Sequence, residues 1–309
     1  MKSKVLLAHV LLFLANLFYG INYTVAKIPM PEYIQANGIV VLRIASAVIF
    51  FVLLTYLQPA TRRQKVEKKD YALFILCGIF GIAANQLLFF KGLDYTHPIS
   101  AAIIMTASPV VVLAAAYLIH KEKVTIRQSI GVILGLIGAW IMILHSSRMD
   151  ITTYARNPVL GNILILLNAV FYAIYLVIAR PLVRKYHPFV FMKWVFSIGL
   201  VMTIPWGLQD LQTASWALMD FRIWMAIVFI LLFVSCFTYL FNTIGLQHLS
   251  PQIVGIYIYT QPIFAAVIAI WQGVDHLDTV KITGAAFVFV GVYLVSMKRK
   301  PPNLLRRNA

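Results

Sequence analysis

Charge is scarce in this 309-residue chain, and negative charge scarcest: Asp and Glu together number 10, against 26 Lys and Arg. Charged residues make up 12% and hydrophobic residues 61% of the sequence, and mean hydropathy is +0.85. A soluble domain typically carries about 25% charged and about 45–50% apolar residues, so too few polar groups exist here to face water. No polar stretch is long enough to form a separate soluble domain. Cysteine is almost missing. Cys77 and Cys236 lie within apolar runs at unrelated positions, which argues against a disulfide framework or a zinc site. An intramembrane enzyme would need HExxH, paired intramembrane aspartates or a Ser/His pair. None is present: His9 is the histidine most clearly inside an apolar run, and no acid accompanies it. Neither a metal nor a cofactor is expected.

The sequence does contain long apolar runs. Hydropathy predicts helices near 5–27, 36–57, 71–91, 98–119 and 127–146, then 158–180, 188–208, 222–246, 250–271 and 280–297. A helix of about 20 such residues crosses a bilayer, and hydrocarbon tolerates no open backbone. The expected class is an all-α integral membrane protein of ten transmembrane helices. The first run follows a basic start, as in a signal peptide, but it is longer than an h-region and lacks a clear cleavage site. It reads as a retained helix.

The net charge of +16 does not form a basic groove interleaved with stacking aromatics, so no nucleic-acid partner is expected. Instead it marks topology. With the N-terminus cytoplasmic, that side holds Lys2, Lys4, Arg62, Arg63, Lys65, Lys68, Lys69, Lys121, Lys123 and Arg127, then Arg180, Arg184, Lys185, Lys298, Arg299, Lys300, Arg306 and Arg307. The other side holds Lys27, Lys91, Arg148, Arg156, Arg222 and Lys281. This is the positive-inside bias of a chain with both termini cytoplasmic.

The chain also repeats itself. Phe18-Tyr19 returns as Phe171-Tyr172, Gly92-Leu93 as Gly245-Leu246, Pro98 as Pro251, Pro109 as Pro262, and Gly131/Gly138 as Gly284/Gly291. Residues 1–147 and 158–298 read as two five-helix repeats, with 299–309 a basic cytoplasmic tail. An odd number of spans per repeat inserts the second copy upside down. Inverted repeats are a transporter signature, with substrate bound between the copies.

Ionisable groups inside spans are costly and mark function. Every Asp and Glu falls in a loop or at a helix end, leaving only Arg43 and Lys193 as intramembrane cations. Each either snorkels to an interface or faces a cavity and attracts an anion. Polar stripes supply the other candidates. Asn16, Tyr19 and Tyr23 share one face of the first span, and Asn168, Tyr172 and Tyr175 one face of the sixth. Asn85 and Phe89 in the third span, with Gln86 adjacent, match Thr238, Asn242 and Tyr239 in the eighth. Ser108 in the fourth matches Gln261 in the ninth, which forms an i, i+4 face with Tyr257. Interhelical hydrogen bonds or interfacial tyrosine anchors are the alternative use of such groups. Pro109 and Pro262, inside the fourth and ninth spans, are expected to kink them and to act as hinges. Gly131, Gly135, Gly138, Gly284 and Gly291 read as close-packing surfaces, within the fold or in a homodimer.

The stretch NLFYGINYTVAK (16–27) resembles the opening motif of EamA-type proteins in the drug/metabolite transporter superfamily. Residues 100–141, with Pro109, Glu122 and the Gly-rich helix after them, resemble that domain's second half; residues 253–294 repeat it with Pro262, Asp275, Gly284 and Gly291. Tyr19 departs from the Trp common in the family, and Arg43 maps to no shared motif. The resemblance implies a ten-helix exporter in a bacterial inner membrane, with a cavity between spans 1, 3, 4, 6, 8 and 9. It also implies small-molecule cargo such as amino acids, other metabolites or drugs. Membrane lipid and this cargo are the expected partners. Glu122 and Asp275 match the family's acidic position, and their place at helix ends suggests orientation or capping rather than transport chemistry. A passive channel is the second reading, and an intramembrane enzyme the third.

Overall fold

The computed structural model describes residues 2–108, 111, 125–146, 155–248 and 257–296. Pro109, Glu122 and the tail 299–309 lie outside them. The described chain is helical: α1 (Lys2–Val25), α2 (Ala36–Leu57), α3 (Lys68–Tyr95), α4 (Pro98–Met105) and α5 (Ile126–Ser146) in the first half. The second half holds α6 (Pro158–Lys185), α7 (Pro188–Gln212), α8 (221–248), α9 (Ile258–Trp271) and α10 (Thr279–Ser296). Six of these helices are long and apolar enough to cross a membrane; shorter apolar helices include 126–141, 258–271 and 279–294. Their outward faces carry large apolar side chains such as Leu57, Val201, Trp206 and Trp271, all mostly exposed. Water would penalise such a surface, whereas lipid accepts it.

Local sequence explains where the helices start. Pro98, Pro158 and Pro188 stand in the first turn of α4, α6 and α7, where a missing N–H costs nothing. Asn157 caps α6 through the Leu160 amide (3.2 Å), and Asp220 caps α8 through Ile223 (2.9 Å). Both long helices α3 and α8 widen to π geometry, at Gly78–Ala83 and Phe229–Phe237. Positions 78–83 correspond to 231–236 in the second repeat, so the two copies carry the same irregularity.

Packing repeats as well. Helices α1 and α8 pair, as do α3 and α6, α2 and α7, and α5 and α10. A side chain added at Gly92 would meet Ile165, and one at Gly245 would meet Leu12, which are equivalent contacts seen twice. Gly138 and Gly291 bring α5 and α10 together: a Cβ at Gly138 would lie 2.7 Å from the Gly284 carbonyl oxygen, and one at Gly291 2.6 Å from that of Gly131. These glycines are thus used inside one chain.

Candidate functional site

Between the two halves lies a cavity of about 240 Å³, room for roughly eight waters. Its wall comes from α1, α2, α3, α4 and α6 to α9, in equivalent pairs: Tyr19 and Tyr172, Asn22 and Tyr175, Gln86 and Tyr239, Phe89 and Asn242, Met105 and Ile258, Ser108 and Gln261. Asn16, Tyr23, Arg43, Asn85, Asn168, Met192 and Val234 complete it. Gln86 Nε2 donates to the Tyr239 hydroxyl at 2.8 Å. Equivalent residues that touch lie on the axis relating the repeats, so this bond marks the centre of the site.

Arg43 is the only charged side chain in the wall, among the described residues. It is 3% exposed. Its Nε donates to Ser235 Oγ (3.0 Å), one terminal nitrogen donates to Gln86 Oε1 (2.7 Å), and the guanidinium lies 4.7 Å from the centre of the Phe90 ring. All of these partners are neutral. A guanidinium stays protonated in proteins, and burying it costs on the order of several kcal/mol unless paired. The cavity therefore carries a net positive charge. The amides around it are largely committed. Gln261 Nε2 donates to Asn16 Oδ1 (2.8 Å), and Asn168 Nδ2 donates to the Asn85 carbonyl (2.7 Å). Two carbonyl oxygens remain, Asn22 Oδ1 and Asn168 Oδ1, both buried without a hydrogen-bond donor.

Of the residues expected at the site, Asn16, Tyr19, Tyr23, Arg43, Asn85, Phe89, Ser108, Tyr172, Tyr175, Asn242 and Gln261 line this cavity. Thr238 and Tyr257 are not in its wall. The Thr238 hydroxyl donates to the Val234 carbonyl, and Tyr257 bonds His9 Nδ1 at 2.8 Å. Lys193 lies away from the cavity, between the Tyr56 and Trp194 rings at 5.8 and 5.9 Å. Pro262 is not mid-helix. A 3₁₀ turn, Ile258–Thr260, precedes it, and an α-helix restarts at Gln261 with the proline in its first turn. No ladder bond is lost there, so the proline stands at an α-helix start where a mid-span kink was expected. In α4 the α-helix likewise ends at Met105, with the Thr106 and Ala107 amides returning to the Ile103 and Ile104 carbonyls.

Gln86 and Tyr239, named beside the stripes but not counted as site candidates, also line the wall, as does Asn22, which the stripes left out. Asn22 stands three residues beyond Tyr19 on the same face, so its position was legible.

The carboxylates at helix ends are far from bland. At the end of the bundle nearest Lys27, Asp275 accepts from the Ile99 amide (3.0 Å) and from Lys281 Nζ (2.6 Å), with both charged side chains fully buried. It caps α4 across the repeat boundary. Asp94 Oδ2 meets Arg156 at 2.7 Å. At the opposite end Lys185 bridges Asp70 (2.6 Å) and Glu67 (2.7 Å), tying the two halves again. Its two carboxylate partners hold Lys185 above the usual lysine range, and Lys185 with Lys69 holds Glu67 below the usual carboxylate range.

Comparison with known proteins places this arrangement. The profile described as "EamA-like transporter family" matches residues 6–144 and again 159–297. The chain belongs to this family. This EamA-like protein is 25% identical over 281 residues to an "Uncharacterized transporter YyaM" of Bacillus subtilis, covering 91% of this chain and 90% of that one. It is 22% identical over 299 residues to an uncharacterized transporter of Archaeoglobus fulgidus, covering 97% and 99%. A WAT1-related protein of Arabidopsis thaliana is 23% identical over 312 residues, covering 92% and 81%. A solved structure shares the fold with a TM-score of 0.61 at 15% identity, covering 95% of this chain and 96% of that one. With its apolar helices, the chain is a multi-pass membrane transporter.

Proposed function

We propose that this protein is a secondary carrier that exports small metabolites, amino acids or aromatic compounds, by alternating access between two inverted five-helix repeats. In this reading ten spans cross the inner membrane of a bacterium with both termini cytoplasmic and the Lys27 end of the bundle outside, which the bias of Lys and Arg between the apolar runs supports. The observation that carries the reading is the wall of the central cavity. Arg43 offers donors to a carboxylate, and the tyrosines, Phe89 and Met105 face an apolar body. The paired π segments, the tightened turn that ends α4 and the 3₁₀ turn that begins α9 supply irregular backbone beside the cavity, in keeping with a carrier. Relatives named as transporters support this against an enzyme.

Counterflow in proteoliposomes tests it. Vesicles preloaded with unlabelled amino acids or aromatic acids are expected to accumulate the labelled compound transiently and saturably. Linear, non-saturating flux without overshoot would establish a channel instead. Arg43→Gln and Gln261→Ala are each expected to lower transport efficiency at least tenfold, roughly 1.4 kcal/mol, at unchanged folded yield. Unchanged kinetics in both would remove them from the site.

A further inference from the structure

A second cavity, of about 290 Å³, opens at the Lys27 end of the bundle, with Lys27, Asp94, Thr24 and Gln272 in its wall. Lys27 follows α1, four residues beyond Tyr23 of the central cavity, and its amide bonds Thr24 in a tightened last turn (3.1 Å). One helical turn therefore joins the two cavities. The Lys27 side chain is 7% exposed, and its Nζ donates to the Asp94 backbone carbonyl at 3.5 Å.

The layer around Lys27 is buried and rich in ionisable groups. Asp94 is 2% exposed; Arg156 holds one carboxylate oxygen, while Oδ1 has no hydrogen-bond partner. His97, 6% exposed, has no hydrogen bond at either ring nitrogen and lies 3.8 Å from Asp275. Asp275 and His276 reach the layer from the α9–α10 turn, and Lys281 from the first turn of α10. Glu32, Asp220 and Arg222 face it across the vestibule. The α1, α3 and α4 ends in this layer belong to the first repeat, Asp275 and Lys281 to the second, and Arg156 to the connection between them. Relative motion of the repeats must therefore change how deeply these groups are buried.

We propose that Lys27 is a proton-binding site through which this transporter couples cargo movement to a proton gradient. The inference rests on the carrier reading above. When the vestibule opens, water hydrates the Lys27 amine and its lone pair takes a proton, forming the ammonium. When the vestibule closes, desolvation favours the neutral amine, and the N–H bond gives its proton to water in the central cavity one helical turn away, from which it leaves on the opposite side. No other bond changes. Burial already holds Lys27 down to about 7, against partial restoration by Asp94 and Asp275. A residue whose proton affinity differs between the two states exchanges protons as the states interchange. Opposed to cargo export, this gives proton–cargo exchange. His97, driven below the ordinary imidazole range by burial, stays neutral in the same layer at physiological pH.

The test uses full-length protein in liposomes containing a trapped pH-sensitive dye and a cargo established by counterflow. Adding cargo is expected to move protons in the opposite direction, and an imposed pH gradient to stimulate transport at least threefold, with a midpoint near pH 7. Lys27→Arg keeps the charge but cannot release the proton, so it is expected to abolish the response to the gradient. Lys27→His is expected to restore a response with its midpoint at lower pH. Wild-type counterflow without proton movement would overturn the assignment, and so would Lys27→Arg with an undiminished gradient response. Absence of counterflow in the wild type would instead overturn the carrier reading itself.

Discussion

Among the described residues, Arg43 is held by Ser235, Gln86 and the Phe90 ring, with no carboxylate beside it. Neutral hydrogen-bond partners orient a guanidinium without cancelling its charge, and in the proposed function the cargo supplies the missing counter-charge. The space available to that cargo is set partly by Gly81 on α3. A Cβ there would lie 2.3 Å from the Tyr175 ring, which lines the cavity. Gly81→Ala is thus expected to push Tyr175 inward and favour smaller cargo, lowering the uptake ratio of a large to a small substrate about tenfold. An unchanged ratio would mean that the ring relaxes elsewhere.

Helix geometry, more than residue identity, decides which stripes reach the cavity. Tyr257 and Gln261 form one face on a regular α-helix, yet the 3₁₀ turn Ile258–Thr260 intervenes. Three residues at about 120° each, in place of about 100°, rotate the face by roughly 60°. Ile258 and Gln261 then line the cavity, and Tyr257 turns to His9. Thr238 follows the π segment Phe229–Phe237, whose wider turn shifts register and leaves Val234, Tyr239 and Asn242 at the wall. Elements also meet through small residues. Gly138→Leu would force α5 off Gly284 and Val288, at a cost of about 1–3 kcal/mol. The expected outcome is a lower melting temperature in detergent, measured by a scanning thermal assay. An unaltered midpoint would show that the α5–α10 contact yields easily.

Across the whole molecule, polar contacts fasten the two halves at both ends of the bundle, through the Ile99 amide and Asp275 at one end and through ion pairs at the other. At the Lys185 end, Lys185 and Tyr186 of the second half reach Asp70, and Lys185 reaches Glu67. Lys185 is raised and Glu67 lowered relative to their ordinary values. The lysine's contribution is therefore complete below its ordinary range, near 10.4, and lost as pH rises through its higher folded value. The glutamate's is complete above roughly 4.3 and lost as pH falls through its lower folded value. This latch should hold evenly from about pH 5 to pH 10. Lys185→Ala is expected to loosen that end, so that a single cysteine introduced at Met192 in the cavity wall reacts several-fold faster with a water-soluble maleimide. Equal labelling rates would show that the latch does not restrain the opening.

The sequence alone determined the class, because 61% hydrophobic residues in runs of spanning length leave the backbone no alternative to helices in lipid. It also determined the repetition and most of the cavity wall, since Tyr19/Tyr172 and Ser108/Gln261 keep their register in both copies. Only the tertiary structure decided which face each stripe presents, because π and 3₁₀ turns rotate side chains without a marker in the residue pattern. It alone revealed Asp94, Asp275 and Lys281 as buried, ion-paired groups, although hydropathy left them as ordinary loop and helix-end charges. Burial depends on what another part of the chain lays over a residue. That information is not local to the sequence.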